Sequence, residues 1–128
     1  MKLYHFSNRI ADGDTVKLVP QSRPNSYSRR EYEVWSTPRT FFYTDPSQRE
    51  VFFNRAECYT VDVDRKDLLD VDSLRWTDLC PFIVSGKVCF YNLMHYAKDL
   101  DKIGFIYTVA DREIVVLWDA VEATKERL

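Results

Sequence analysis

Apolar and polar positions alternate over short stretches of this chain, and the clearest helical spacing is confined to one segment. Leu3–Phe6 predicts a short strand, followed by a loop with Asn8 and a turn at Asp12-Gly13-Asp14. These aspartates lack the order and the distal glutamate of a calcium loop, so they read as a turn. Thr15–Val19 is a second, weaker strand. Pro20 to Pro38 is polar and turn-rich, without periodicity, the kind of long stretch that is often functional in a small domain. Arg39–Thr44 is a β-rich run ended by Asp45-Pro46, where Asp45 or Ser47 can cap a short helix reaching Asn54. Cys58–Val63 alternates as a strand, Asp67–Leu79 reads as a turn plus short helix, and Pro81–Gly86 is a break. From Val88 onward, Phe90, Leu93, Met94, Ala97 and Leu100 fall at three- and four-residue steps, which predicts an amphipathic helix ended by Gly104. Phe105–Val109 and Glu113–Trp118 form a hairpin pattern about Ala110-Asp111-Arg112, and Ala120–Leu128 reads as a short charged helix or a frayed end. Strands in both halves with helices between them predict the α+β class.

Composition narrows the class. With 128 residues, the chain is expected to form a single domain over residues 1–128. At 45% hydrophobic and 15% aromatic, with 3 Gly and 5 Pro, it is neither disordered nor collagen-like. No apolar run approaches the roughly 20 residues that span a bilayer. Met1–Phe6 lacks the pattern of a secretory signal, so a soluble, cytoplasmic protein without a membrane partner is expected. Cys58, Cys80 and Cys89 are odd in number, lie among apolar residues and form no C-x-x-C pair. They are expected to be reduced core thiols.

The net charge of −2 argues against a generic nucleic-acid coat but conceals an asymmetry. Through Tyr43, Lys2, Arg9, Lys17, Arg23, Arg29, Arg30 and Arg39 outnumber the acids. From Val61 to Asp72, five aspartates outweigh Arg65 and Lys66. A local excess of arginine suits a phosphate-bearing ligand, because the guanidinium fork engages two oxygens at once, although charge alone favours a solvated face.

The familiar nucleotide-loop, nucleophile-elbow and zinc-protease motifs are absent. With only His5 and His95, metal sites built on several imidazoles are excluded, and His95, inside the helical segment, reads as structural or exposed. Three other features carry more information together than apart. Leu3-Tyr4-His5-Phe6-Ser7 ends an apolar strand with an imidazole and a hydroxyl. Phe41-Phe42-Tyr43-Thr44 is an aromatic strand ending in two hydroxyls. Glu113-Ile114-Val115-Val116-Leu117-Trp118-Asp119 opens an apolar strand with a carboxylate, a residue type depleted in strands.

In order, these features resemble the ADP-ribosyltransferase family, in its His–Tyr–Glu branch shared by diphtheria-type toxins and poly(ADP-ribose) polymerases. Residues 113–119 resemble that family's N-E-Y-I-V-Y-D segment, residues 3–7 its L-x-H-G-[ST], and Phe42-Tyr43-Thr44 its Y-[FL]-[ST]. Phe6 stands where the family has glycine. The resemblance implies a split core of two small twisted sheets with a few short helices, and NAD as co-substrate in the cleft between the sheets. Glu113 would be the catalytic carboxylate, stabilising positive charge on the ribose as nicotinamide leaves. His5 would hold the adenosine ribose, the Phe6 backbone and Ser7 the nicotinamide amide, and Tyr43 or Tyr59 would stack on the nicotinamide ring. Thr44 follows on the same strand, and Arg39, or Arg29 and Arg30, would meet the pyrophosphate. No metal is required. The implied activity is mono-ADP-ribosyl transfer to a protein or nucleic-acid acceptor, with Asp14–Pro38 as the candidate acceptor contact. Such minimal transferases serve bacteria and their viruses as toxins or effectors, made in or delivered into a host cell. The alternatives are an NAD glycohydrolase using water, an RNA 2′-phosphotransferase-like enzyme, and a non-catalytic binding module on the same fold.

Overall fold

The computed structural model describes residues 1–7, 12–20, 31–32, 38–47, 57–84 and 87–126. Among them the chain is α+β. β1 (Lys2–Ser7), β2 (Thr15–Leu18), β3 (Glu31–Tyr32), β4 (Thr40–Tyr43), β5 (Glu57–Asp62) and β6 (Leu68–Asp70) precede the single-turn helix α1 (Trp76–Leu79). β7 (Ile83–Val84) and β8 (Lys87–Cys89) lead into α2 (Phe90–Asp99), followed by β9 (Gly104–Val109), β10 (Arg112–Leu117) and β11 (Val121–Glu126). Eight strands pair in the order β2-β11-β5-β1-β4-β10-β9-β6, and three short ones form a second sheet, β3-β8-β7. The three matched motifs all lie on strands of the larger sheet or directly at their ends. The candidate site therefore lies on one sheet and not between the two that are present.

That sheet has a narrow seam. β1 is in register with β5 through six pairs, from Lys2↔Asp62 to Ser7↔Glu57, and β10 with β4 through four. β1 meets β4 at one pair, Tyr4 opposite Tyr43. The ladder is thus made of two four-stranded halves, β2-β11-β5-β1 and β4-β10-β9-β6.

Side chains alternate between faces, and residues opposite one another share a face. On one face Phe105 and Val116 pack with Leu93 and Ala97 of α2 and with Trp118. On the other, Leu3, Phe42, Leu68, Ile106, Val115 and Leu117 form a second core, with Leu18, Val61 and Val121 against it. All eight strands contribute to that second core.

Several expectations need correction. The carboxy-terminal segment is a strand, not a helix: β11 inserts between β2 and β5 with Ala123 buried. Its charges are matched across strands, Lys125 Nζ 3.4 Å from Glu57 and Glu126 3.0 Å from Lys2, so pairing overrides local helix preference. The helical segment starts at Phe90, Val88 belonging to β8. It ends at Asp99, and the left-handed stop is Asp101 (φ 59°). Lys102 N–H bonds the Ala97 carbonyl and Asp101 N–H the Lys98 carbonyl, a Schellman closure. Gly104 instead opens β9, where a Cβ would lie 2.3 Å from the Val116 carbonyl oxygen. Cys58 is buried as expected, but Cys80 is exposed: it lies four residues after Trp76, itself 69% exposed, on the outward side of α1. Within Asp67–Leu79 the short helix is present, but Leu68–Asp70 forms a strand parallel to β9 that the pattern concealed. The expected helix to Asn54 and most of the Pro20–Pro38 stretch lie outside the described residues. No helix among the described residues is long and apolar enough to cross a membrane.

Candidate active site

Glu113 is the second residue of β10, and its side chain is 38% exposed. Register places it opposite Thr108 on β9, and the one-residue offset from Ile114↔Tyr43 puts Thr44 beside it at the end of β4. Thr44 Oγ1 donates to Glu113 Oε1 at 3.3 Å, and Arg65 Nη2 donates to Oε2 at 2.9 Å. Both carboxylate oxygens are therefore engaged, one by a neutral hydroxyl and one by a cation, with lone pairs left on each.

His5 lies on the same face, two strands away. From the register, its Cα is about 12 Å from that of Glu113, from two inter-strand spacings and two residue steps. His5 Nδ1 is 2.7 Å from the Phe41 carbonyl oxygen, across the seam. A carbonyl only accepts, so Nδ1 carries the proton in this contact, which fixes the orientation of the ring. The ring also sits 5.5 Å from that of Phe42. Ser7 shares this face two residues farther along β1, roughly 17 Å from Glu113 by the same spacings.

The structure separates other candidates from this group. Tyr43 faces the α2 side, its ring 5.9 Å from Phe6. The reason is the strand period: Phe42 and Thr44 share the Glu113 face, and the residue between them cannot. Phe42, the first residue of the matched triplet, is fully buried in the core on that face. Tyr59 is opposite His5 and on its face, but it is buried. Arg39 is 5% exposed with its guanidinium 5.6 Å over the Phe41 ring, so it lies toward the α2 face at the far end of β4. Phe6 turns its side chain to the same side, leaving its backbone in register with Cys58. Arg29 and Arg30 lie outside the described residues. Of the candidate acceptor contact, β2 and the Glu31–Tyr32 strand are described.

Arg65 was not anticipated. It lies in the acid-rich stretch whose average sign hides it, on the connection from β5 to β6. The assembled group, a carboxylate held by a hydroxyl and a guanidinium with an imidazole on the same face, fits sugar hydroxyls. It offers no aromatic face from Tyr43. No protein-family model matches the chain, and neither a curated protein nor a solved structure matches it.

Proposed function

We propose that the protein is an NAD-dependent mono-ADP-ribosyltransferase whose catalytic residue is Glu113. The observation that carries this reading is the adjacency of three strands: β1 with His5, β4 with Thr44 and β10 with Glu113 are consecutive, and these side chains share one face. The order His, aromatic strand, Glu along the chain supports the same reading.

NAD is the substrate in this reading, and the chemistry is cleavage of its nicotinamide–ribose bond with transfer of ADP-ribose to a protein or nucleic-acid acceptor. Glu113 supplies negative charge beside the ribose and takes a proton from the incoming hydroxyl or amine. Thr44 and Arg65 orient that carboxylate. His5, its Nδ1–H bonded to the Phe41 carbonyl, holds a ribose hydroxyl as donor or acceptor and so positions the dinucleotide without needing charge. Stacking on nicotinamide falls to a residue other than Tyr43.

Incubating the protein with NAD labelled in its adenylate moiety and a cell lysate tests this. Label on macromolecules, lost with Glu113→Gln, is the expected result. Nicotinamide release without macromolecular label would identify a glycohydrolase instead. Neither product would leave a non-catalytic module.

A further inference from the structure

Arg65 is held in place by its backbone as well as by its pair with Glu113. It begins a turn, Arg65–Asp67, whose entry is capped by Asp64 Oδ1 accepting the Lys66 N–H at 3.1 Å. Lys102 Nζ donates to the Lys66 carbonyl at 2.6 Å, and Ile103 N–H bonds the Asp67 carbonyl at 2.9 Å. On the other side, Val63 N–H bonds the Met1 carbonyl at 3.0 Å. The adjacent acid Asp64 is paired with Lys66 at 3.7 Å. The turn is therefore fixed to β1 on one side and to the entry of β9 on the other, and it aims one guanidinium at one carboxylate.

An exposed ion pair of this kind adds little to folding. With side chains 53% and 38% exposed, Arg65 and Glu113 do not need one another for stability. What the contact does is fix a direction. A glutamate at a strand end has three side-chain torsions. Holding Oε2 on Arg65 and Oε1 on Thr44 selects one orientation of the carboxylate plane.

We infer that Arg65 is a positioning residue for the proposed reaction: it acts through Glu113, pre-aligning the carboxylate, and does not itself bind the dinucleotide. This rests on the NAD-cleavage reading given above. Because one guanidinium nitrogen makes the contact, a lysine can partly replace it.

Initial rates of nicotinamide release, with cell lysate supplying the acceptor and the rate of the lysate alone subtracted, are measured for the wild type, Arg65→Ala, Arg65→Lys, Glu113→Gln and the Arg65→Ala/Glu113→Gln double variant. Calorimetric binding of NAD and thermal unfolding accompany each. Arg65→Ala is expected to unfold at the wild-type temperature and to lower kcat by about tenfold or more, with KM and NAD affinity within about twofold. Arg65→Lys is expected to recover much of the rate, and Arg65→Ala to cost nothing further in the Glu113→Gln background. A raised KM with kcat unchanged, or an added loss in the double variant, would mean that Arg65 contacts substrate directly and would overturn the inference. So would an Arg65→Ala enzyme indistinguishable from wild type. A wild type that releases no nicotinamide would instead remove the proposed function, and this inference with it.

Discussion

Glu113 is held by donors of unlike kind, and the two contribute differently. The Thr44 bond at 3.3 Å is long, whereas the Arg65 contact at 2.9 Å is charge-assisted. His5 is fixed by a neighbouring backbone carbonyl, which orients its ring. His5→Ala removes the ring that would meet the ribose, and with it a hydrogen bond across the seam. We expect NAD affinity, measured by calorimetry, to fall about two- to tenfold, the worth of one hydrogen bond. Unchanged affinity would take His5 out of the site. The period of two already implied that Phe42 and Thr44 face together, so the separation of Tyr43 from Glu113 could have been read from the sequence once Thr44 was grouped with Glu113. Arg65 had no such signal, because nothing local says that a turn after β5 reaches the start of β10.

At the scale of elements, Asp101 and Gly104 carry backbone constraints that substitution can expose. Asp101 closes α2 in a left-handed conformation, with an acidic side chain next to the negative end of the helix dipole. Asp101→Gly should stabilise the fold by roughly 0.5–1 kcal/mol, seen as a higher unfolding midpoint; a lower midpoint would mean that the Asp101 side chain makes a contact worth more than the strain. Gly104 is a case of close approach: an added Cβ would meet the Val116 carbonyl oxygen at 2.3 Å and Leu117 Cδ2 at 2.6 Å. Gly104→Ala should cost about 1–3 kcal/mol, read by denaturant unfolding, and a neutral effect would contradict that packing. Most strands in the larger sheet were legible because each is a short alternating or β-branched run. Those that were not had other causes. Leu68–Asp70 is too short to show a period, and residues 121–126 have helix-favouring composition that cross-strand ion pairs and the burial of Ala123 override.

Across the whole molecule, the seam between β1 and β4 decides how the site is made. Six register pairs tie β1 to β5 and four tie β10 to β4, whereas one register pair ties β1 to β4, beside the His5–Phe41 hydrogen bond and side-chain packing across the seam. His5 stands on one half and Glu113 on the other, and Arg65 reaches Glu113 from the connection that links β5 in the first half to β6 in the second. The α+β class followed from the distribution of strands and helices. The sheet order did not, because which strands become neighbours depends on long-range pairing that local patterns do not encode. The measurement that bears most directly on the account is the initial rate of nicotinamide release from NAD by wild type and Glu113→Gln with cell lysate supplying the acceptor, above the rate of the lysate alone. We predict turnover by the wild type and a loss of about 100-fold or more in the variant, both folding alike by circular dichroism. Equal rates in the two proteins, or none in the wild type, would contradict it.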